Sequence, residues 1–493
     1  MEVEFNPILA VDSYKTSHKW QYPDGTSHVS SYVEARADHS GLAVPGVVTF
    51  GLQAYLRRLA AAPVTAAFID QARTLFAAHG VPFYEEGWRH ILARHGGRLP
   101  VEIRAVAEGS VVPPGHALVQ LVNTDPAAFW LTSYLETALL RAVWYPSTVA
   151  TLSWAVKRLL REAWEQTSDA PEASLDFKLH DFGARGASSA ETAALGGMAH
   201  LVNFQGTDTV EALLAAARFY DEPMAGFSIP AAEHSTITSW GRAGEADAYA
   251  NMLRQFGGPG RVVAVVSDSY DVFHAVESLW GGRLRQQVLD MGGTLVIRPD
   301  SGDPVEVVAL VLRLAANAFG TSRNSKGYEV LHPAVRVIQG DGINPATIRA
   351  ILARMQADRF AIDNIAFGMG GALLQKVDRD TFSWAMKASA IQCHGVWRDV
   401  FKQPVTDRGK GSKRGRLALC RDAAGDWHTV PAGSCAEADD LLRPVFRDGA
   451  LLVSHRFAEV RARAAAALRD AAPRHSGDGP AAPAPVLASA EAG

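Results

Sequence analysis

The sequence predicts an α/β protein built around a barrel of parallel strands. Between residues 262 and 376, four apolar stretches each end in a polar loop: VVAVVSDSYD, TLVIRPDSGDP, VRVIQGDGINP and NIAFGMGGALLQK. An apolar run of this length between turn residues is typical of a buried strand, and strands that alternate with helices form parallel βαβ units. About seven such units fit between residues 177 and 366, close to the eight of a complete barrel.

The loops that follow these strands carry the polar side chains. The carboxyl ends of parallel barrel strands open on one common mouth, so we expect these side chains to converge there. They are Asp268, Asp271, Arg298, Asp300, Asp341, Gly368, Gly370 and Gly371. Acids, one arginine and a glycine turn suit a substrate with phosphate groups, ribose hydroxyls and a magnesium ion.

Several helices of the barrel units begin with residues that are typical helix caps. Asp303 and Asn344 each precede a proline at a predicted first helical position, which is a strong start signal. Ser188 and Glu191 are predicted to form a capping box, and the helix that follows Arg185 offers an anion site at its amino end.

The first half of the chain mixes strands and helices. Strands are predicted at 102–106 and 117–122, and an apolar helix over 129–143 is predicted to end at Tyr145-Pro146. A second helix is predicted over 148–164. Proline removes a helix donor, so we expect a break between these two helices.

Composition excludes several functional classes. The chain has 493 residues and a net charge of -4, so a general affinity for nucleic acid or a membrane surface is not expected. Three cysteines without metal-ligand spacing indicate a reducing compartment. No leader-like or membrane-spanning run is found, which predicts a cytoplasmic protein.

Alternatives for the barrel mouth remain open. Its acids could ligate a catalytic metal directly, as in barrel hydrolases and aldolases, with His180 and His234 as the available histidines. Arg298 could simply pair with an acid, and a lone histidine such as His234 is often structural. The glycine turn is unexplained by these alternatives and favours a phosphate site.

The chain resembles the nicotinamide phosphoribosyltransferases, which join nicotinamide to phosphoribosyl pyrophosphate to make nicotinamide mononucleotide for NAD salvage. The matching segments span about residues 5–460 and include DSYKTSHKWQYP, KLHDFGARGASS, HLVNFQGTDTV, AAEHSTITSWG, IRPDSGDP and NIAFGMGGALLQK. The resemblance implies a type II phosphoribosyltransferase fold. It places the barrel domain at 150–386 and a second α/β domain at 1–149 with 387–470. The Ala/Pro-rich tail at 471–493 is predicted to be disordered.

The resemblance also assigns roles at the pyridine ring. Phe182 would stack on one face of nicotinamide, and Tyr14 from the partner subunit of a homodimer on the other. Asp208 would accept hydrogen bonds from the carboxamide N–H₂, and Arg185 would hold either the carboxamide oxygen or the pyrophosphate.

Other roles concern phosphoribosyl pyrophosphate and ATP. The resemblance places the phosphate at Arg298, Gly370 and Gly371, the ribose at Asp300, Gly340 and Asp341, and the pyrophosphate at Arg379, Lys387 and, across the dimer, Arg36. Asp268 would arrange Mg²⁺ through water, and His234 would be phosphorylated by ATP in an optional coupling reaction. His234, Asp268, Arg298 and Asp300 are therefore the predicted catalytic residues.

Two rival functions share this fold. Nicotinate phosphoribosyltransferase would use the acid, but the Asp208 carboxylate would repel it. A non-catalytic binding or signalling protein would not need the full set of ring, ribose and phosphate residues. Met369 and Ala372 depart from the family pattern at the glycine turn, which predicts an altered fit to the phosphate.

Overall fold

The computed structural model describes residues 5–403, 406 and 411–470. The predicted disordered tail lies outside the described residues. In chain order the strands are β1 (Thr26–Glu34), β2 (Val47–Val48), β3 (Val101–Ala105), β4 (Val111–Val112), β5 (Val119–Asn123), β6 (Leu179–Asp181), β7 (Gly206–Thr207), β8 (Val262–Val266), β9 (Thr294–Arg298), β10 (Thr321–Arg323), β11 (Glu329–Leu331), β12 (Val335–Gln339), β13 (Ile365–Met369), β14 (Ala385–Cys393), β15 (Val396–Asp399), β16 (Leu417–Arg421), β17 (Trp427–Pro431), β18 (Arg443–Arg447) and β19 (Ala450–Leu451).

The helices occupy most of the connections. They are α1 (Leu52–Ala61), α2 (Ala66–His79), α3 (Glu85–His95), α4 (Leu131–Tyr134), α5 (Glu136–Thr167), α6 (Ala190–His200), α7 (Val210–Tyr220), α8 (His234–Thr238), α9 (Glu245–Phe256), α10 (Val272–His274), α11 (Arg285–Asp290), α12 (Pro304–Phe319), α13 (Pro345–Ala357), α14 (Gly371–Leu374) and α15 (Phe457–Asp470). A π-helix covers Ala275–Arg283, and 3-10 turns include Ser13–Trp20, Pro126–Ala128 and Arg379–Phe382.

Six parallel strands form the predicted barrel sheet, in the order β7-β6-β13-β12-β9-β8. The four apolar runs that defined the prediction are β8, β9, β12 and β13, so their assignment as parallel strands is confirmed. Most side chains of these four strands are buried, on both faces of the sheet, because helices cover one face and the barrel interior the other.

A seventh segment, residues 227–231, lies between the two edge strands of this sheet. Phe227 exchanges backbone hydrogen bonds with residues 205 and 207, and Ala232 and Pro230 bond to Ala264 in β8. The corresponding parallel bridges join Gly206 to Phe227 and Ala231 to Ala264. We call this segment the seam, because it closes the curled sheet into a ring of seven segments, the number expected from the sequence.

The caps of two barrel helices are confirmed, and one is corrected. Asp303 accepts hydrogen bonds from the first turn of α12, and Asn344 does the same for α13, with proline at the first position of both helices. For α6 the capping residue is Ser189, whose hydroxyl accepts from the Thr192 backbone N–H. The predicted Ser188 and Glu191 box was therefore wrong by one residue.

The second large sheet has seven antiparallel strands in the order β15-β14-β1-β5-β3-β18-β19. The three strands before residue 124 lie side by side at the centre of this sheet, and two strands after residue 384 flank them on each side, so both ends of the chain build one sheet. The predicted strands at 102–106 and 117–122 correspond to β3 and β5. The domain limits themselves stay a prediction.

A single helix, α5, replaces the two helices predicted around Tyr145-Pro146. Pro146 lies inside it and is buried. The prediction failed because tertiary packing compensates for the missing donor: Gly51, at φ +95°, allows the backbone to approach the Pro146 ring and the Ala142 carbonyl closely. The hydroxyl of Ser147 also accepts the Phe50 N–H at 3.0 Å, so the helix flank is satisfied by the neighbouring segment.

Helix α5 contributes to both hydrophobic cores. Leu139, Leu140 and Val143 pack in the core of the antiparallel sheet, whereas most of the following turns pack in the barrel core. The terminal helix α15 also buries Phe457 in the barrel core. Among the described residues, no helix combines the length and apolarity needed to cross a bilayer.

Lys178, just before β6, is a buried cation at the amino-terminal side of the ring. Its ammonium group donates to the carbonyls of Ile362 and Ile365, both at 2.9 Å, and to that of Asp363 at 3.2 Å. Burial lowers the pKa of Lys178 to about 8. The side chain therefore ties the starts of two neighbouring strands together through backbone acceptors.

We expect Lys178→Met to destabilise the protein by about 3 kcal/mol, because the substitution leaves buried carbonyl groups without a donor. The free energy of unfolding from urea titration checks this value. The matched control is Lys326→Met, since the exposed Lys326 donates to the Glu165 carbonyl at 2.8 Å; there a change within about 0.5 kcal/mol is expected. Equal losses in the two variants would contradict the structural role of Lys178.

Candidate active site

The carboxyl ends of the ring segments form one barrel mouth, and most predicted site residues lie there. They follow the strands in this order: Phe182 and Arg185 after β6, Asp208 after β7, His234 after the seam, Asp268 after β8, Arg298 and Asp300 at β9, Gly340 and Asp341 after β12, and Gly370 and Gly371 after β13. Convergence at one edge follows from the parallel arrangement of the strands.

Asp268 is the most connected acid of the mouth, and only 4% of its side chain is exposed. One carboxylate oxygen lies 2.9 Å from Nε2 of His234. The other accepts the backbone N–H of Asp300 at 3.1 Å and the hydroxyl of Ser301. Asp268 therefore joins the loops after the seam and after β9 to its own.

Asp300 lies between opposite charges. Its carboxylate is 3.4 Å from Nη2 of Arg298 and 4.0 Å from Nδ1 of His234. Burial raises the pKa of Asp300, Arg298 and His234 oppose this shift, and the carboxylates of Asp268 and Asp341 add to it. A cation placed among these acids would relieve their mutual repulsion.

Arg298 is half-buried, but its Nε is shielded from solvent and has no hydrogen-bond partner within the described part of the chain. A buried guanidinium donor without an acceptor carries a desolvation cost. Phosphate oxygens are acceptors that match its planar fork of donors. The geometry around Arg298 thus suits an anionic ligand.

The Phe182 ring rests on a glycine of β13. A Cβ atom added to Gly368 would lie 2.0 Å from the ring, and one added to Gly340 would lie 3.6 Å from it. Beneath the ring are apolar side chains of the barrel interior, including Ala264, Val296 and Ile338. Phe182 therefore forms one wall of a slot at the mouth.

Asp208 lies beside this slot and is exposed. Its backbone N–H donates to the Asp181 carbonyl at 3.0 Å, and the Ser228 hydroxyl donates to Oδ1. No donor among the described residues bonds to Oδ2, so this oxygen can accept from a ligand. The neighbouring His180 is half-buried, and its removal from solvent lowers its pKa and favours the neutral ring, although the Asp208 charge opposes this shift.

The glycine turn after β13 begins the short helix α14. Met369 is fully buried in the barrel core, and its carbonyl accepts the Phe182 N–H at 3.0 Å, so only its backbone faces the mouth. Ala372 packs partly against the same core. These two side chains point into the core, so they can alter the fit to a phosphate only by shifting the backbone of the turn. Arg185 is exposed on the loop whose Gly186 approaches Gly371.

The basic residues predicted at the pyrophosphate lie together on or beside the antiparallel sheet. Arg36 donates to the Ser383 carbonyl at 3.0 Å, and Lys387 lies opposite Tyr32 in the β1–β14 pair. Burial lowers the pKa of Lys387, and the positive charges of Arg36 and Arg379 add to this shift. Arg36, Arg379 and Lys387 thus form one cluster of a single chain, so a partner that supplies one of them supplies all three.

Tyr14 lies on the 3-10 turn Ser13–Trp20. Its side chain is 61% exposed and contacts His18 and Lys15 of its own turn. The exposed ring is available to another molecule.

Sequence reasoning missed three supporting residues. Ser228 fixes Asp208 and Ser301 fixes Asp268, but single serines in loops carry no recognisable spacing. Gly368 was noted only as part of a glycine turn, whereas its role is to seat the Phe182 ring. Its position on the strand, before the turn, is the signal that could have separated these two roles.

Comparisons with known proteins agree with this architecture. A family model for the nicotinate phosphoribosyltransferase (NAPRTase) family matches residues 177–450. A second model, for the nicotinamide phosphoribosyltransferase N-terminal domain, matches residues 6–103. The crystal structure of nicotinate-nucleotide pyrophosphorylase from Pyrococcus furiosus superposes with a TM-score of 0.61 at 17% identity, covering 95% of this chain and 97% of that one. Human nicotinic acid phosphoribosyltransferase gives 0.60 at 19% identity, with 94% of each chain covered.

A parallel ring with acids, an arginine and a glycine turn at its mouth, joined to an antiparallel sheet from both chain ends, defines a type II phosphoribosyltransferase. The chain belongs to the nicotinate phosphoribosyltransferase family of enzymes. Among its curated relatives, the nicotinamide phosphoribosyltransferase of Xanthomonas campestris is 56% identical, covering 94% of this chain and 98% of the relative. That of Acinetobacter baylyi is 33% identical over the same shares.

We expect Gly368→Ala to displace the Phe182 ring, because the added methyl group would overlap it. The KM for the pyridine substrate should rise several-fold, while the KM for phosphoribosyl pyrophosphate stays within about twofold, since an aromatic stack contributes on the order of 1 kcal/mol. Gly282→Ala is the control, since its nearest contact would be 3.8 Å away. Unchanged pyridine KM in a folded Gly368→Ala protein would refute this role.

Proposed function

We propose that this enzyme makes nicotinamide mononucleotide and pyrophosphate from nicotinamide and phosphoribosyl pyrophosphate. The observation that carries the choice of substrate is Asp208, an acid whose Oδ1 is held by Ser228 beside the Phe182 ring. The curated relatives named above carry the same activity in their names. This reaction supplies NAD salvage.

An acid at this position discriminates between the amide and the acid forms of the pyridine. The carboxamide N–H₂ is a donor that Oδ2 of Asp208 can accept, with the added strength of an ionised acceptor. A nicotinate carboxylate would instead face Asp208 and lose binding energy through like-charge repulsion. Although the family is named after nicotinate, this member is therefore expected to use nicotinamide.

The chemistry is a displacement at the anomeric carbon of the ribose. The bond from the pyridine nitrogen to this carbon forms, and the bond to the pyrophosphate oxygen breaks with its electron pair. No proton is removed from the ring nitrogen, so no general base is required. The protein holds the ring in line through Phe182, and the leaving group through cations.

The remaining mouth residues divide between ribose and phosphates. In this proposal Asp300, Asp341 and the Gly340 backbone bind the ribose hydroxyls. Arg298, Gly370 and Gly371 bind the 5′-phosphate. Arg185 lies on the loop beside Gly371 and contributes at the pyridine amide or the pyrophosphate.

The residues at Asp268 fit a magnesium ion bound through water. Both carboxylate oxygens of Asp268 already accept protein hydrogen bonds, which leaves little capacity for direct ligation. Mg²⁺ retains waters and contacts few protein carboxylates when it is bound with substrate phosphates. When bound, the ion would neutralise charge on the pyrophosphate. Asp268 and Asp300 would hold its waters.

His234 is the proposed acceptor for phosphate from ATP. Nε2 of His234 is hydrogen-bonded to Asp268. Nδ1 lies on the side of Asp300, 4.0 Å from its carboxylate, and the side chain is 45% exposed. Attack of Nδ1 on the γ-phosphorus would form the N–P bond and release ADP. The Asp268 carboxylate would stabilise the positive imidazole during this step.

We further propose a homodimer with shared sites in the cytoplasm. Tyr14 is exposed. Among the described residues, its ring has an aromatic contact with His18 of its own turn and none with a residue of the mouth. A partner's Tyr14 turn could therefore close the open face of the Phe182 slot. Three cysteines without disulfide partners suit a reducing compartment.

The decisive assay measures pyrophosphate release with nicotinamide and, separately, with nicotinate. For Asp208→Asn we expect kcat/KM for nicotinamide to fall about 10- to 100-fold, as for loss of a charge-assisted hydrogen bond, with no fall for nicotinate. Glu211→Gln, which removes an exposed charge three residues away on α7, should change neither value. If the wild-type enzyme converts nicotinate but not nicotinamide, the proposal is overturned.

A complementation experiment tests the shared site. Homodimers of Tyr14→Ala or Arg298→Ala should be nearly inactive, but mixing them should restore about a quarter of wild-type activity, because half of the dimers then hold one intact site. Tyr14→Ala mixed with Arg36→Ala should stay inactive, since both residues would reach the partner's site from the same chain. Recovery in the second mixture would contradict the assignment.

His234→Ala should abolish ATP hydrolysis and the stimulation of turnover by ATP. In the wild-type enzyme, ATP and Mg²⁺ should give an acid-labile, base-stable phosphoryl group on His234, detected by mass spectrometry. His274→Ala, an exposed histidine on α10, is the control and should be phosphorylated normally. Survival of ATP hydrolysis in a His234→Ala protein with a wild-type melting temperature would rule out this role.

A further inference from the structure

Two histidines of α3 and one aspartate that follows β5 lie close together at one end of the antiparallel sheet, apart from the barrel mouth. Nε2 of His90 and Nε2 of His95 each lie 2.7 Å from the same oxygen, Oδ2 of Asp125. The two imidazole centroids are 5.9 Å apart. No other group of three or more such ligand side chains occurs within residues 5–403, 406 and 411–470.

We propose that His90, His95 and Asp125 bind a zinc ion. Two neutral imidazole nitrogens and one carboxylate oxygen are the donor set of many three-ligand zinc sites, in which water completes the tetrahedron. The nitrogen donors distinguish this site from the magnesium position at the mouth, because Mg²⁺ and Ca²⁺ prefer oxygen ligands.

The spacing of the three atoms suits this ion after a small adjustment. Bonds of about 2.1 Å in a tetrahedron place neighbouring donor atoms about 3.4 Å apart. The imidazole nitrogens therefore need to withdraw from Asp125 by less than about 1 Å. The side chains are 34%, 27% and 19% exposed, so they can move, and water can reach a fourth position.

The backbone beneath the three ligands is fixed. His95 is the last residue of α3, which Gly96 ends in a left-handed conformation. Oδ1 of Asp125 accepts the Ala127 N–H at 2.9 Å and so caps the following turn. The side chain of Asn123 donates to the Asp125 carbonyl and to the Ser27 carbonyl, both at 2.8 Å. A preorganised frame of this kind lowers the cost of metal binding.

Zinc would couple α3 to the turn at Pro126–Ala128. The next residue, Phe129, packs against Tyr22 at 5.6 Å between ring centroids and lies under the Lys19 ammonium at 4.7 Å. These contacts hold the turn that carries Tyr14. The proposed ion lies apart from the barrel mouth, so its expected effect is on the stability of this region and not on the transfer reaction.

The test uses the full chain after treatment with a chelator and removal of that chelator. Zinc is titrated against a competing chromophoric chelator, and melting temperature is recorded with and without zinc. The wild-type protein should bind one equivalent and melt at a higher temperature. His90→Gln and His95→Gln should each weaken binding at least about tenfold and lose the thermal shift, since glutamine retains a donor for Asp125 but not an imidazole.

Two controls separate this site from others. His428 forms a similar exposed pair with Asp422 at 2.9 Å, so His428→Gln should bind zinc like the wild type. The double variant Cys420→Ser/Cys435→Ser should also retain binding. Any thermal shift given by magnesium should be the same in the wild type and in His95→Gln, because the magnesium position proposed at the mouth does not involve this histidine.

X-ray absorption on the wild-type zinc complex supplies a measurement that needs no variant. The spectrum should show imidazole nitrogen and oxygen ligands around the zinc and no sulfur ligand. The proposal is overturned if the wild-type protein shows no zinc-dependent thermal shift, if sulfur ligands are found, or if binding is lost in the cysteine variant and kept in His95→Gln.

Discussion

The arrangement of the mouth depends on the buried carboxylate of Asp268. Its two oxygens hold the His234 ring, the backbone of Asp300 and the Ser301 hydroxyl. These groups belong to two different loops, the one after the seam and the one after β9, and Asp268 itself lies on a third, after β8. Because one carboxylate holds groups of both loops, His234 and Asp300 keep one spacing relative to each other.

Helix α5 supplies the second constraint, since it connects the mouth to the body of the protein. The Tyr145 hydroxyl oxygen lies 3.0 Å from the carbonyl oxygen of Thr192 in α6 and 2.8 Å from that of Leu374 in α14, so its single proton is shared between these two acceptors. These two helices flank the glycine turn. The same α5 packs in the core of the antiparallel sheet through Leu139 and Val143. One helix therefore contacts both the antiparallel sheet and the elements beside the glycine turn.

The sequence was informative wherever local rules decide structure. The buried runs of β8, β9, β12 and β13 and the caps at Asp303 and Asn344 follow from periodicity and from side-chain chemistry alone. The continuous helix through Pro146 did not follow, because the contacts that compensate for proline come from residues 50 and 51, far away in the chain.

The candidate site shows the same division. The loops of the mouth were predictable because parallel strands must open at one end. The support of Asp208 by Ser228 was not, since it requires the seam to lie beside β7. The grouping of Arg36 with Lys387 depends on the pairing of β1 with β14, strands that are more than 350 residues apart.

The seam has a consequence for motion. It joins the ring through isolated bridges rather than a continuous ladder, and Pro230 within it has no N–H to donate. Few hydrogen bonds hold such a segment, so it opens at a lower free energy than the strands on either side. Ser228 lies on it and His234 directly follows it. Amide hydrogen exchange should accordingly be fastest at this point of the ring and slow down when ligands bind there, which makes the seam a reporter of occupancy.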